Sequence, residues 1–195
     1  MKITSVAVFC ASSPGFDAVW AESARQVGAY LAKENITLVY GGGKVGLMGA
    51  VADAALAAKG KVIGVIPEFL DAKEISHHGV TELIVVETMY ERKMKMSTLC
   101  DGVIALPGGF GTLEELFEMI TWAQLGLHSK PVAILNVNGF YDHLITFIEQ
   151  MVIAGLLKPE NREMLLVSDN IADLLHKMQH YEAPNVPKWL EKDDI

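Results

Sequence analysis

With 195 residues, half of them apolar, the chain can bury one substantial core, so one domain over residues 1–180 and a C-terminal tail over 181–195 are expected. A net charge of −8 without long runs of like charge excludes non-specific nucleic-acid binding and polybasic membrane contact. It leaves room for a local basic site that takes an anionic small molecule.

The first expected strand, 3–10, lies in "MKITSVAVFCASS". Its apolar run is short, broken by Thr4 and Ser5, and Phe9 before Cys10 does not suit lipoprotein-type cleavage, so a first strand is expected here in place of a signal peptide, and the protein is expected in the cytoplasm. The loop "CASSPGFD" follows, where Ser12 and Ser13 offer hydroxyls and Gly15 permits a tight bend. Ordinary turn chemistry and N-capping explain this loop equally well. A helix over 17–34 and a strand over 36–40 lead to "YGGGKVGLMG". Gly41, Gly43 and Gly46 there satisfy GxGxxG, but after the second strand, whereas the dinucleotide fingerprint follows the first. It is no Walker A motif, because Leu47 stands where lysine is needed. Successive glycines still let backbone N–H groups approach a phosphate or a sugar.

A helix over 47–59 and a strand over 61–66 precede "DAKEISHHG", where Glu74 by itself is uninformative. His77 and His78 are adjacent and lack a third ligand at metal spacing, and with no CxxC at Cys10 or Cys100 no metal site is expected. A strand over 82–87 then leads into the helix 89–100, "ETMYERKMKM", which sets Arg92 and Lys93 in its first turn against the helix dipole. Either an anionic partner or a solvated basic face helped by Glu91 accounts for them, and Arg92 suits bidentate recognition of phosphate or carboxylate.

The strand 102–106 runs into "PGGFGTLEE", in which Gly108, Gly109 and Gly111 free the backbone before a helix over 112–127. Thr112 and Glu115 fit a capping box, T-x-x-E. On a helical projection Leu113, Leu116, Phe117, Ile120 and Leu127 share an apolar face, and Glu114 and Glu118 point to solvent. Glu115 falls on a flank with Met119 and Trp122, at a pocket wall or a subunit interface. Strands over 131–136 and, more faintly, 165–167, with helices over 139–155 and 169–178, complete an α/β alternation of about seven strands. Near-continuous apolar runs such as "KVIGVI" call for a doubly wound parallel sheet with helices on both faces, and ligands at the carboxyl ends of its strands.

"YGGGKVGLMG", "MYERK" and "PGGFGTLEE", in that order and spacing, closely resemble the LOG ("lonely guy") family of cytokinin riboside 5′-monophosphate phosphoribohydrolases, formerly often described as lysine decarboxylases. The resemblance extends from "VFCASS" through "ITWAQLGLH" to about residue 178. It implies a Rossmann-like homodimer that cleaves the N-glycosidic bond of AMP or its N6-substituted forms to the free base and ribose 5-phosphate, without a metal or redox cofactor. By matching position it makes Arg92 and Glu115 the catalytic pair and the stretch from Gly108 and Gly109 through Phe110 and Gly111 to Thr112 the phosphate cradle. Glu74, Lys93 and Thr121 become further substrate contacts, and Ser12, Ser13, Gly42 and Gly43 line the nucleotide site. Tyr90 departs from the histidine that many members carry there, a difference that bears on base preference. Two other classes stand beside this one: a non-catalytic nucleotide sensor, which would lack Arg92 or Glu115, and a dinucleotide-dependent oxidoreductase built on GxGxxG. A lysine decarboxylase is disfavoured, since no lysine sits in a recognisable pyridoxal-phosphate motif.

Overall fold

Strands that are apolar without alternation need cover on both faces, and the fold supplies it. The computed structural model describes residues 2–71 and 76–184. Strands β1 (Ser5–Phe9), β2 (Thr37–Tyr40), β3 (Val62–Pro67), β4 (Glu82–Val86), β5 (Gly102–Ala105), β6 (Val132–Leu135) and β7 (Leu165–Ser168) form one sheet, ordered β4-β3-β2-β1-β5-β6-β7. Every pairing is parallel. All residues of β3, β5 and β6 are buried, whereas the edge strand β4 exposes Glu82 and Val85.

The helices are α1 (Ala18–Lys33), α2 (Gly46–Ala57), α3 (Glu68–Asp71), α4 (Met89–Leu99), α5 (Phe110–Gln124), α6 (Asp142–Ile153), α7 (Pro159–Arg162) and α8 (Ile171–Gln179). On one face Leu31 of α1, Val51 of α2 and Leu174 of α8 pack with Val6, Leu38 and Ile104 of the sheet. On the other, Met96 of α4, Leu116 of α5 and Ile148 of α6 pack with Ala7, Val39 and Val103. Consecutive strand residues thus feed opposite cores, and each buried aliphatic side chain contributes about 1.5–3 kcal/mol.

The site follows from the topology. β1 pairs with both β2 and β5, and the strand order reverses there. The loops leaving β1 and β5 diverge to helices on opposite faces, which opens a crevice at their carboxyl ends. Backbone hydrogen bonds fix its floor: the Leu106 N–H donates to the Phe9 carbonyl (2.9 Å), the Ala11 N–H to Pro107 (3.2 Å) and the Leu47 N–H to Ala11 (3.1 Å).

Several boundaries differ from the sequence pattern. α5 starts at Phe110 instead of 112, with Gly109 as its N-cap. It ends at Gln124, before Gly126 turns the chain with φ +75°, so Leu127 lies beyond the helix and is exposed. The expected helix over 139–155 is a 3-10 turn (Val137–Gly139) followed by α6, because Asn138 and Gly139 both adopt positive φ. α3 and α7 span four residues each, too few to show a period. Met119 and Trp122, which the projection put on the flank with Glu115, belong to the core beneath α5, Met119 buried in it and Trp122 packed against it.

The Tyr141 hydroxyl donates to the Leu106 carbonyl (2.6 Å), tying α6 to the end of β5. Phe140 stacks edge-on between Tyr141 and Trp20 of α1. Replacing Tyr141→Phe removes only that bond. Stability should fall by about 1 kcal/mol in equilibrium urea unfolding; no loss would mean that the bond does not hold the loop.

Candidate active site

At the crevice lies a cavity of about 400 Å³, within the ordinary range for small-molecule sites. The β1–α1 loop contributes Cys10, Ala11, Ser12 and Ser13, α2 contributes Met48, and α4 contributes Met89 and Arg92. Gly109 and the first turns of α5, Phe110, Gly111, Thr112, Glu114 and Glu115, close it. The β1–α1 and β2–α2 loops touch through Gly46, where a side chain would sit 2.3 Å from the Ser12 carbonyl carbon.

Arg92 and Glu115 are both buried, and Arg92 Nη1 donates to Glu115 Oε1 at 2.7 Å. Arg92 Nε donates to the Val65 carbonyl of β3 (3.1 Å), so the guanidinium is fixed at two corners. The anionic partner that the sequence implied for Arg92 is therefore the protein's own carboxylate. Burial pushes the Glu115 carboxyl above its ordinary 4.5, against the pull of the Arg92 charge and hydrogen bond. Burial likewise raises the Cys10 thiol far above its usual range, helped by the Glu115 charge, so Cys10 stays protonated and is no nucleophile at neutral pH.

Gly109 caps α5 without a side-chain bond, and the first N–H groups of a helix have no partner inside it. Side chains at Gly109 or Gly111 would meet nothing within 4 Å, so both open directly onto the cavity. This end of α5 presents the positive pole of a helix to whatever enters, as an anion site requires. Thr112 is three positions inside the helix and forms no capping box with Glu115. The same T-x-x-E pattern caps α4 instead: Thr88 Oγ1 accepts from the Glu91 N–H (3.1 Å), and Glu91 Oε2 accepts from the Glu87 N–H (3.0 Å).

Ser12, Ser13, Arg92, Gly109, Phe110, Gly111, Thr112 and Glu115 thus share one cavity. Five expected residues do not. Lys93 extends to α5, pairing with Glu114 (2.5 Å) and Glu118 (3.0 Å), so those carboxylates are not simply solvated. Gly42 bends the chain with φ +74° and packs against Ile66, and Gly43 bridges to Ser76. Gly108 lines a smaller apolar cavity with Trp20 and Phe140. Thr121 lies nine residues along α5 from Thr112, about 13 Å, beside α6 and α7. Glu74 falls outside the described residues. His77 and His78 point to different partners, Asp53 (2.8 Å) and Asp71 (3.8 Å). Among the described residues no three His, Cys, Asp or Glu side chains are grouped as metal ligands would be. Met48, Met89 and Cys10 were missed, although all three sit within or beside the quoted motifs; apolar wall residues carry no chemical signal of their own.

Removing one partner of a buried pair leaves the other uncompensated. Arg92→Ala should destabilise the fold by about 3 kcal/mol at pH 7. The loss should shrink at a lower pH, because burial raises the Glu115 carboxyl above 4.5 and so favours its neutral form. Urea unfolding at the two pH values checks this; an equal loss at both would show that the Glu115 charge is not responsible.

A family model described as "Possible lysine decarboxylase" matches residues 48–178. Two cytokinin riboside 5′-monophosphate phosphoribohydrolases of Arabidopsis thaliana are similar to the chain: one is 46% identical over 94% of this chain and 81% of the relative, the other 45% identical over 96% and 86%. Among solved structures, a molybdenum cofactor binding protein from Rippkaea orientalis superposes with TM-score 0.69 at 22% identity, over 92% of this chain and 98% of that one. The molybdenum cofactor carrier protein of Chlamydomonas reinhardtii gives 0.68 at 17% identity, over 92% and 98%. At such identities these structures establish the shared fold alone.

Proposed function

The chain belongs to the LOG-type family of cytokinin riboside 5′-monophosphate phosphoribohydrolases, and from that premise we propose that it hydrolyses the N-glycosidic bond of AMP or N6-substituted AMP to the free base and ribose 5-phosphate. The observation that carries this is the buried Arg92–Glu115 pair, one helical turn inside the open N-terminus of α5. The N–H groups of Phe110, Gly111 and Thr112 hold the 5′-phosphate. Glu115 stands four residues beyond Gly111, about 6 Å along the helix, which leaves space for the sugar between them.

Cleavage develops positive charge on the sugar and negative charge on the base, by analogy with glycosides. Glu115 Oε1 accepts from Arg92, and its carboxylate faces the anomeric carbon, stabilising the cationic sugar and taking the proton of the attacking water. The water oxygen bonds to C1′ as its proton passes to Glu115, the C1′–N9 electron pair leaves with the base, and the base takes a proton from solvent, to which Glu115 later returns its own. Arg92 holds Glu115 in orientation through the Nη1 hydrogen bond. Ser12 and Ser13 form the wall opposite α5.

We take residues 1–180 as the catalytic domain and the assembly as a homodimer. Support for the dimer comes from Phe147, Ile153 and Leu156, exposed on and just after α6, next to the apolar cavity between α5 and α6. No helix among the described residues is long and apolar enough to cross a membrane. Both cysteines are free and buried, which suits the cytoplasm.

Wild-type protein with AMP should release adenine and ribose 5-phosphate, and adenosine should react far more slowly. Glu115→Gln should keep the fold yet lose AMP hydrolysis by about 1,000-fold or more. Near-wild-type turnover by Glu115→Gln, or equal turnover of AMP and adenosine, would contradict the assignment.

A further inference from the structure

Gly41 stands apart from the other glycines that follow β2. Gly42 and Gly46 have positive φ, and side chains there would press into Ile66 and the Ser12 backbone. Gly41 is buried, but its φ lies outside the left-handed region, so its backbone tolerates alanine. What it cannot accept is the Cβ itself. That atom would lie 1.9 Å from Arg92 Nη2, 3.1 Å from Arg92 Cζ and 3.2 Å from Met48 Sδ. All three are side-chain atoms, so the obstacle is the arginine and not the fold.

We propose that Gly41 is a positioning residue whose missing side chain forms the seat of the Arg92 guanidinium and so sets the Arg92–Glu115 geometry used in hydrolysis. The proposal rests on the function assigned to that pair above. A guanidinium is a rigid plane. Its Nε corner is held by the Val65 carbonyl and its Nη1 corner by Glu115 Oε1, which leaves no freedom for the third corner, Nη2. A methyl at position 41 strikes that corner. Arg92 can then yield only by lengthening or breaking at least one of the other two bonds. Met48 is a flexible side chain and can give way; the pinned plane cannot. The first glycine of the "GGG" run therefore serves the arginine, while the second bends the chain.

The test is a two-by-two cycle of Gly41→Ala and Arg92→Ala, with thermal unfolding and AMP turnover as readouts. Gly41→Ala should lower kcat/KM for AMP by about 100-fold, the usual scale for a misplaced group. It should also lower Tm by about 3 °C in the wild-type background, and by less than about 1 °C once Arg92 is alanine. Equal Tm losses in both backgrounds would overturn the proposal, since the loop backbone would then be responsible. So would a Gly41→Ala protein that turns over AMP within about threefold of wild type, because correct placement is expected to matter far more. The function itself fails separately. If wild-type protein releases no ribose 5-phosphate while the Tm cycle still shows coupling, the hydrolase assignment falls and the guanidinium seat stands.

Discussion

The buried ion pair between Arg92 and Glu115 is the constraint around which the crevice is organised. Taking two charges out of water costs several kcal/mol per ion, and well-packed apolar residues would stabilise the same space better. The surroundings offset part of that cost with directed bonds. The Val65 carbonyl accepts from Nε, Glu115 accepts from Nη1, and Lys93 adds a second link between α4 and α5 through Glu114 and Glu118. Burial still prevails at the carboxylate, whose pKa is raised above 4.5. The folded state therefore binds this proton more tightly than the unfolded state does. The stability gained from it is present at low pH and is lost as pH rises from 4.5 through the raised value. Glu115 thus works against stability at neutral pH.

The same helix carries two opposite electrostatic demands. Its open N-terminus, with Gly109 and Gly111 bare to the cavity, favours an anion. One turn further in, a carboxylate would repel that anion if the two met. Separation along the axis, together with Arg92 alongside, keeps the anion-favouring tip of the helix apart from the carboxylate on its flank. The sheet makes this possible: at the β1/β5 reversal the loops part to opposite faces and open the crevice.

Much of this was legible in the sequence. Unbroken apolar runs announced strands covered on both faces, and "PGGFGTLEE" placed glycines and a carboxylate at a strand end. What could not be read were choices made by tertiary partners. T-x-x-E occurs at Thr88–Glu91, Thr112–Glu115 and Thr146–Glu149, and local pattern does not say which one caps a helix; Arg92, from a distant part of the chain, takes Glu115 out of the contest. Lys93 looked free to meet a ligand until α5 brought two carboxylates to it. The glycines at 41–43 pointed to a phosphate loop, yet one bends the chain, one pairs with Ser76 and one makes room for a guanidinium. Glycine in a sequence records that space is needed, and not for what.

The central claim is that Glu115 is an ion-paired carboxyl made harder to ionise by its burial. A carbon-13 NMR titration of the Glu115 carboxyl in the free protein, assigned by comparison with Glu115→Gln, measures this without reference to any substrate. The account predicts a midpoint above 4.5 that climbs further when Arg92 is removed. A midpoint at or below 4.5, or one indifferent to Arg92, would contradict it.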